Sequence, residues 1–235
     1  MKIKIEFTPN TIPVPFNYIT NINGYLHKVI GNNNKYHDSL SLYSTSFLHG
    51  GVYNKKENNL NFPNGAIWYV SSPDKEFITS FIYNIYNNID FIYGMKLNKV
   101  GVVKRDIKPI NNGITKDLYV FPTKSPILLK RKDYTTNKNI YYTFEDDNVI
   151  TNEIMKNLII KKANTFGLTI NENDFEIGFD TTYNKKKIKW VDIKSVKNKA
   201  CVCPIKIKTN NKKIVEFIYD IGVGHSTGSG LGFLL

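Results

Sequence analysis

The feature that most constrains this chain is the run GVGHSTGSGLG, residues 222–232. Gly222 and Gly224 flank Val223, Gly230 and Gly232 flank Leu231, and a polar HSTGS insert separates the two pairs. Glycine accepts positive φ and lets the backbone come close to another surface, and amides exposed in such a segment cradle phosphate oxygens. Two other motifs overlap the run and fail on context. GHSTG (224–228) fits the G-x-S-x-G nucleophile elbow, but that device needs a catalytic histidine later in the chain, and none follows Ser226. A dinucleotide fingerprint needs a helix and then an acidic residue downstream, and neither follows.

Hydrophobic periodicity orders the rest. KIKIEFT (2–8) alternates as a half-buried strand, and Tyr18, Ile22, Tyr25, Leu26, Val29 and Ile30 lie at helical spacing before Gly31. SLYSTSFL (41–48) and GAIWYVSS (65–72) read as strands. A helix opens at SSPDKEF, with Ser72 as its cap and Pro73 in its first position; its apolar face runs from Phe77 to Ile89. A strand ladder over roughly 91–103 follows. Strand, helix, strand, strand, helix, strand is the ferredoxin-like unit. From Lys116 a looser copy follows. Residues 117–131 are extended, 151–167 form a capped amphipathic helix ending at Gly167, and 172–180 form a strand. Residues 186–209 give two extended stretches, and 211–222 a short helix leading into the glycines. The expected fold is therefore α+β, with two tandem ferredoxin-like (βαββαβ) domains over 1–110 and 111–235, hinged at 104–116.

Composition narrows the function classes. With 235 residues, 41% hydrophobic and 22% charged, the chain can bury a real core. Lys+Arg of 32 against Asp+Glu of 20 gives +12, which favours a polyanionic partner, although Asn, Ile and Tyr share the lysine enrichment. Basic runs recur at 104–108, at Lys130 and Arg131, at 161–162, and through Lys186 and Lys187, enough for a track along a phosphate backbone. Cys201 and Cys203 sit two apart, facing one way on a strand, which suits core packing. The histidines are not at zinc-ligand spacing to them, so no metal site is expected. Glu145, Asp146 and Asp147 precede a helix start and read as a solvated turn. His37-Asp38 spells a metal-phosphohydrolase dyad, but such sites need an all-helical scaffold. No apolar stretch is long enough for a secretory signal or a membrane span, so the expected location is cytoplasmic.

The paired Gly-apolar-Gly units around a five-residue gap resemble the signature of the RAMP superfamily of CRISPR-associated RNA-binding proteins. More narrowly, the chain resembles the pre-crRNA-processing endoribonucleases that cut CRISPR transcripts within their repeats. The further landmarks are VPFNY (14–18), INGYLHKVI (22–30), the following His37, LYSTSFL (42–48), AIWYVSSPDKEF (66–77) and IYDIGVGHSTGSGLGF (218–233). The resemblance implies metal- and cofactor-free cleavage, in which the ribose 2′-hydroxyl attacks the phosphorus to leave a 2′,3′-cyclic phosphate and a 5′-hydroxyl. It also implies CRISPR repeat RNA (pre-crRNA or crRNA) as partner, with effector-complex subunits or a homodimer as further assemblies. The alternative within the superfamily is a catalytically silent RNA-binding subunit of an effector complex; a basic globular protein with no specific RNA is the third reading.

Imidazoles suit acid–base roles because their pKa lies near neutrality. His37 falls where the family's general acid/base histidine falls. His27 lies on the first helix, at a position that carries a tyrosine or a second histidine in relatives. Many relatives place a charge-neutralising lysine where this chain has Ser41; Ser41 can donate a hydrogen bond there, with Lys35, Lys55 or Lys56 as sources of charge. His49 reads as a turn or RNA contact. Gly222, Gly224, His225, Ser226, Gly230, Gly232, Lys130, Arg131, Lys186 and Lys187 are the candidate RNA-binding set.

Overall fold

In β1 (Lys2–Phe7), Ile3, Ile5 and Phe7 turn inward, the burial expected of its alternating sequence. The computed structural model describes residues 1–31, 40–104, 106–110, 116–193 and 196–235. After β1 come α1 (Ile19–Ile30), β2 (Ser44–Thr45), a hairpin of β3 (Val52–Asn54) and β4 (Asn59–Asn61), then β5 (Ile67–Ser71), α2 (Lys75–Tyr86) and β6 (Leu97–Val102). The main sheet runs β2-β5-β1-β6 with every pair antiparallel, which is the strand order of a βαββαβ unit. The β3–β4 hairpin is an insertion between its second and third strands. Helices α1 and α2 pack together. Ile22, Leu26 and Val29 of the first, and Phe77, Ile78, Phe81 and Ile85 of the second, join Trp68 and Val70 in the core.

The second half holds β7 (Leu118–Phe121), β8 (Leu129–Asp133), β9 (Lys138–Tyr142), α3 (Asn148–Phe166), β10 (Glu176–Phe179), β11 (Lys187–Ile193), β12 (Val196–Val202), β13 (Ile205–Lys208) and α4 (Lys212–Ile221). Its sheet runs β10-β13-β7, the first three places of a second ferredoxin-like unit. The fourth place is taken by the chain after the glycines. The amide of Lys124 donates to the Phe233 carbonyl at 2.9 Å and that of Leu235 to Pro122 at 2.9 Å, beside an antiparallel bridge between Thr123 and Leu234. Two long hairpins, β8–β9 and β11–β12, are inserted into this unit and meet through β9 and β12. The molecule is thus α+β with tandem ferredoxin-like domains. The boundary expected at 110/111 adjoins residues 111–115, which lie outside the described residues.

Several element limits differ from the sequence reading. Asp74, not Ser72, caps α2: its carboxylate accepts the amides of Glu76 at 2.9 Å and Phe77 at 3.2 Å, so Pro73 precedes the helix. The Ser72 hydroxyl donates instead to the Leu42 carbonyl. Ile89, expected on the apolar face, lies beyond the end of α2 and is exposed. Of 41–48 only Ser44–Thr45 is regular strand. The ladder expected from 91 begins at Leu97, after a 3₁₀ turn in which Tyr93 has φ 57°. Residues 186–209 hold three strands rather than two. α3 starts three residues early because Asp147 caps the Val149 amide at 2.6 Å; Asp146 meanwhile binds the amide and hydroxyl of Thr143. The acidic cluster is therefore a helix-entry turn. Cys201 and Cys203 are both buried in the second core.

Candidate functional site

The glycine-rich segment lies along the junction of the two domains. Its two apolar residues part company: Val223 is buried in the core of the second domain and Leu231 in the core of the first. All four flanking glycines have positive φ, between 62° at Gly232 and 90° at Gly230. A side chain at Gly232 would overlap the Val223 carbonyl, and one at Gly224 would stand 2.6 Å from the Leu128 carbonyl. The bend is closed by the Val223 amide donating to Gly232 at 2.9 Å and the Gly232 amide donating to Pro126 at 2.8 Å. Ser226, also left-handed at φ 58°, starts a short 3₁₀ turn, Thr227–Ser229. His225, Ser226 and Ser229 are half-buried; the rest of the segment from Gly222 to Gly232 is buried.

This turn meets the elements that carry the candidate catalytic residues. α1 packs against Thr227–Ser229 and bears His27, half-buried, in its last turn. Ser41 is half-buried and packs on Gly228 so closely that a methyl group there would come 2.5 Å from its Oγ. Ser41 is also hydrogen-bonded to the Tyr43 hydroxyl; burial raises the Tyr43 pKa and that bond offsets part of the rise. His37 and Lys35 lie outside the described residues.

Side chains of the first domain hold the end of α4. The Asp220 carbonyl accepts the hydroxyls of Ser71 at 2.6 Å and Ser44 at 3.0 Å. A helix C-terminus leaves carbonyls without intrahelical donors, and these bonds satisfy one of them from across the junction. Lys2 of β1 is fully buried; its ammonium donates to the Leu234 carbonyl and lies 3.3 Å from the Tyr219 ring centroid and 4.4 Å from that of Phe233.

On the second-domain side, the His225 amide donates to the Leu128 carbonyl at 2.8 Å. Burial pushes the His225 pKa down to about 4, and the charges of Lys130 and Lys162 push the same way, against the Leu128 carbonyl. The ring is therefore neutral near pH 7 and can make a hydrogen bond but carries no charge. His49 is likewise pushed down to about 4, mainly by burial, and its backbone bridges Ile67.

The basic candidates do not all gather here. Lys130 of β8 influences His225, whereas its neighbour Arg131 pairs with Glu153 of α3 at 2.9 Å. Lys186 is folded onto its own turn, donating to the Thr181 carbonyl at 2.9 Å, and Lys187 is exposed on β11. Lys162, expected in a basic run along a phosphate backbone, is instead buried and donates to the Thr227 hydroxyl beneath the turn, because it lies on the inner face of α3. A signal existed: Met155, Ile159 and Lys162 share helical spacing, so a lysine falls on the buried face of α3.

The chain is thus a tandem ferredoxin-like pair with a glycine-rich segment set between its two cores. Residues 108–235 match the family described as CRISPR associated protein Cas6, C-terminal, and the chain belongs to that family. A Pyrococcus furiosus protein named as a CRISPR-associated endoribonuclease-like Cas6 is 23% identical over 167 residues. That match spans 71% of this chain and 66% of the relative, just under two thirds of its length. Among solved structures, one described as a RAMP protein binding different RNA substrates has a TM-score of 0.80 at 18% identity, covering 100% of this chain and 98% of that one. A Cas6-related protein from Pyrococcus furiosus also reaches 0.80 at 18% identity, with 100% and 97% coverage. A Cas6 product complex gives 0.69 at 10% identity, with 100% and 99% coverage. At these identities the likeness establishes the fold.

Proposed function

We propose that this protein is a metal-independent endoribonuclease that cleaves CRISPR repeat RNA and so matures guide RNA. The observation that supports it most is the meeting of the Thr227–Ser229 turn with both Ser41 and the helix that carries His27. The reaction is transesterification: the 2′-oxygen forms a bond to phosphorus as the bond to the 5′-oxygen breaks. The 2′-proton goes to a base, and the leaving oxygen takes a proton from an acid, giving a 2′,3′-cyclic phosphate and a 5′-hydroxyl. His37 and His27 are assigned the proton transfers, and Ser41 a hydrogen bond to the charge that develops on the phosphate. His225, Ser226 and Lys130 are assigned to the RNA backbone, with Arg131, Lys186 and Lys187 as outlying contacts. Gly222, Gly224, Gly230 and Gly232, expected to cradle phosphate, are buried, with the Gly222 and Gly232 amides given to Ile218 and Pro126, and they shape the turn instead. A cytoplasmic location belongs to the same reading, and effector-complex subunits and a second copy of the chain are its further partners.

The test is incubation of the protein with the repeat RNA of its own genome in EDTA. The expected products end in a cyclic phosphate, and His37→Ala abolishes them while RNA binding persists. Tight binding without cleavage would instead identify a catalytically silent RNA-binding subunit, a reading favoured by Ser41 standing where the family resemblance implies a lysine. Salt-labile binding indifferent to sequence would overturn both.

A further inference from the structure

Lys162 is a buried lysine with no carboxylate partner among the described residues, at the point where α3, α4 and the glycine-rich turn meet. Its ammonium donates to the Thr227 Oγ1 at 2.7 Å and to the Ile221 carbonyl at 3.4 Å. Thr227 in turn donates its only hydroxyl proton to the Tyr43 carbonyl at 3.1 Å, across the domain junction. The chain of bonds runs one way. Because Thr227 has given its proton to Tyr43, its oxygen needs a donor from the other side, and the last carbonyl of α4 needs one too. An ammonium is all donor, so one group serves both, and the negative end of the α4 dipole favours it there.

We propose that Lys162 is a positioning residue for RNA cleavage: it pins the Thr227–Ser229 turn to the Tyr43 backbone and so holds that turn in register with Ser41 and α1. This rests on the endoribonuclease reading above. The placement explains why a lysine is kept in a site that disfavours its charge. Burial pushes the Lys162 pKa down to about 7, and an apolar side chain of that length would pack there without the desolvation cost. Such a side chain would leave Thr227 and Ile221 without their donor. His225, which feels the charges of Lys130 and Lys162, is a titratable neighbour on this side of the turn, and as a neutral ring bonded toward Leu128 it does not replace that donor.

The test uses the full chain with Lys162→Met, an unbranched side chain one atom shorter that removes the donors, and Thr227→Val, which removes the hydroxyl in the middle. Amide hydrogen exchange of residues 223–232 and single-turnover cleavage of repeat RNA are read in parallel, with RNA affinity measured separately. In each variant the turn amides are expected to exchange about tenfold faster or more, with the α3 amides unchanged. Cleavage is expected to slow about tenfold or more while the RNA Kd stays within about threefold. The double variant should be no worse than the poorer single one, because both substitutions break one chain of bonds. Unchanged exchange in the turn overturns the proposal, and so does faster exchange with undiminished cleavage. If the wild-type protein leaves the RNA uncut, the endoribonuclease reading falls; faster exchange in the variants would still establish that Lys162 clamps the turn, and unchanged exchange would overturn the clamp as well. If Lys162→Met does not fold, Thr227→Val decides alone.

Discussion

Gly232→Ala tests whether the terminal glycines are there for close approach or only for their backbone angles. At φ 62° any residue with a Cβ loses about 1 kcal/mol to left-handed strain. The added methyl group would also overlap the Val223 carbonyl, a backbone atom that no side-chain rotation can move away. Relief requires parting the Val223–Gly232 and Gly232–Pro126 hydrogen bonds, each worth about 1 kcal/mol net. The expected loss is about 3 kcal/mol. Gly167, at φ 85° after α3, is an internal control, because nothing lies within 4 Å of the position its Cβ would take. Gly167→Ala should therefore cost the strain alone, about 1 kcal/mol. The entropy lost from the unfolded chain is the same in both and cancels in the comparison. In thermal unfolding the shifts should be about 9 °C and about 3 °C, at roughly 3 °C per kcal/mol for a chain of this size. Equal shifts would refute the view that the segment is wedged between packed backbones.

Acid should destabilise the protein through His225. Its folded pKa of about 4 lies below the unfolded value near 6.5, so its contribution is present above pH 6.5 and is lost as pH falls toward 4. His225→Asn should flatten the fall in urea midpoint across that window; an unchanged slope would refute the assignment. Lys130→Gln is expected to reduce the salt slope of RNA binding by about 0.7, the value for one phosphate contact on a single strand. Arg131→Gln, whose partner is already Glu153, should change that slope less; the reverse order would move the backbone track away from His225.

Much of the fold was legible because its signals are local. Alternation in β1, the spacing of Phe77, Phe81 and Ile85, and the stop at Gly167 all act within a few residues. Element limits were less legible where two capping groups compete within three residues, as Ser72 and Asp74 do, since the choice depends on Ser72 finding the Leu42 carbonyl across a loop. Of the candidate site, Ser41 packs on the glycine turn and α1, the helix that carries His27, meets that turn, whereas His37 lies outside the described residues. Arg131 and Lys186 are taken up by Glu153 and the Thr181 carbonyl, partners that a list of basic runs does not reveal.

The sequence by itself determined the helices, the ferredoxin-like order of the main strands, and a segment that only glycine could build. Tertiary structure alone decided that Val223 and Leu231 enter different cores, and that Lys162 is buried where α4 ends. The difference is physical. Periodicity and capping are settled between neighbours along the chain, while the fate of a buried donor depends on which carbonyls distant segments bring within reach.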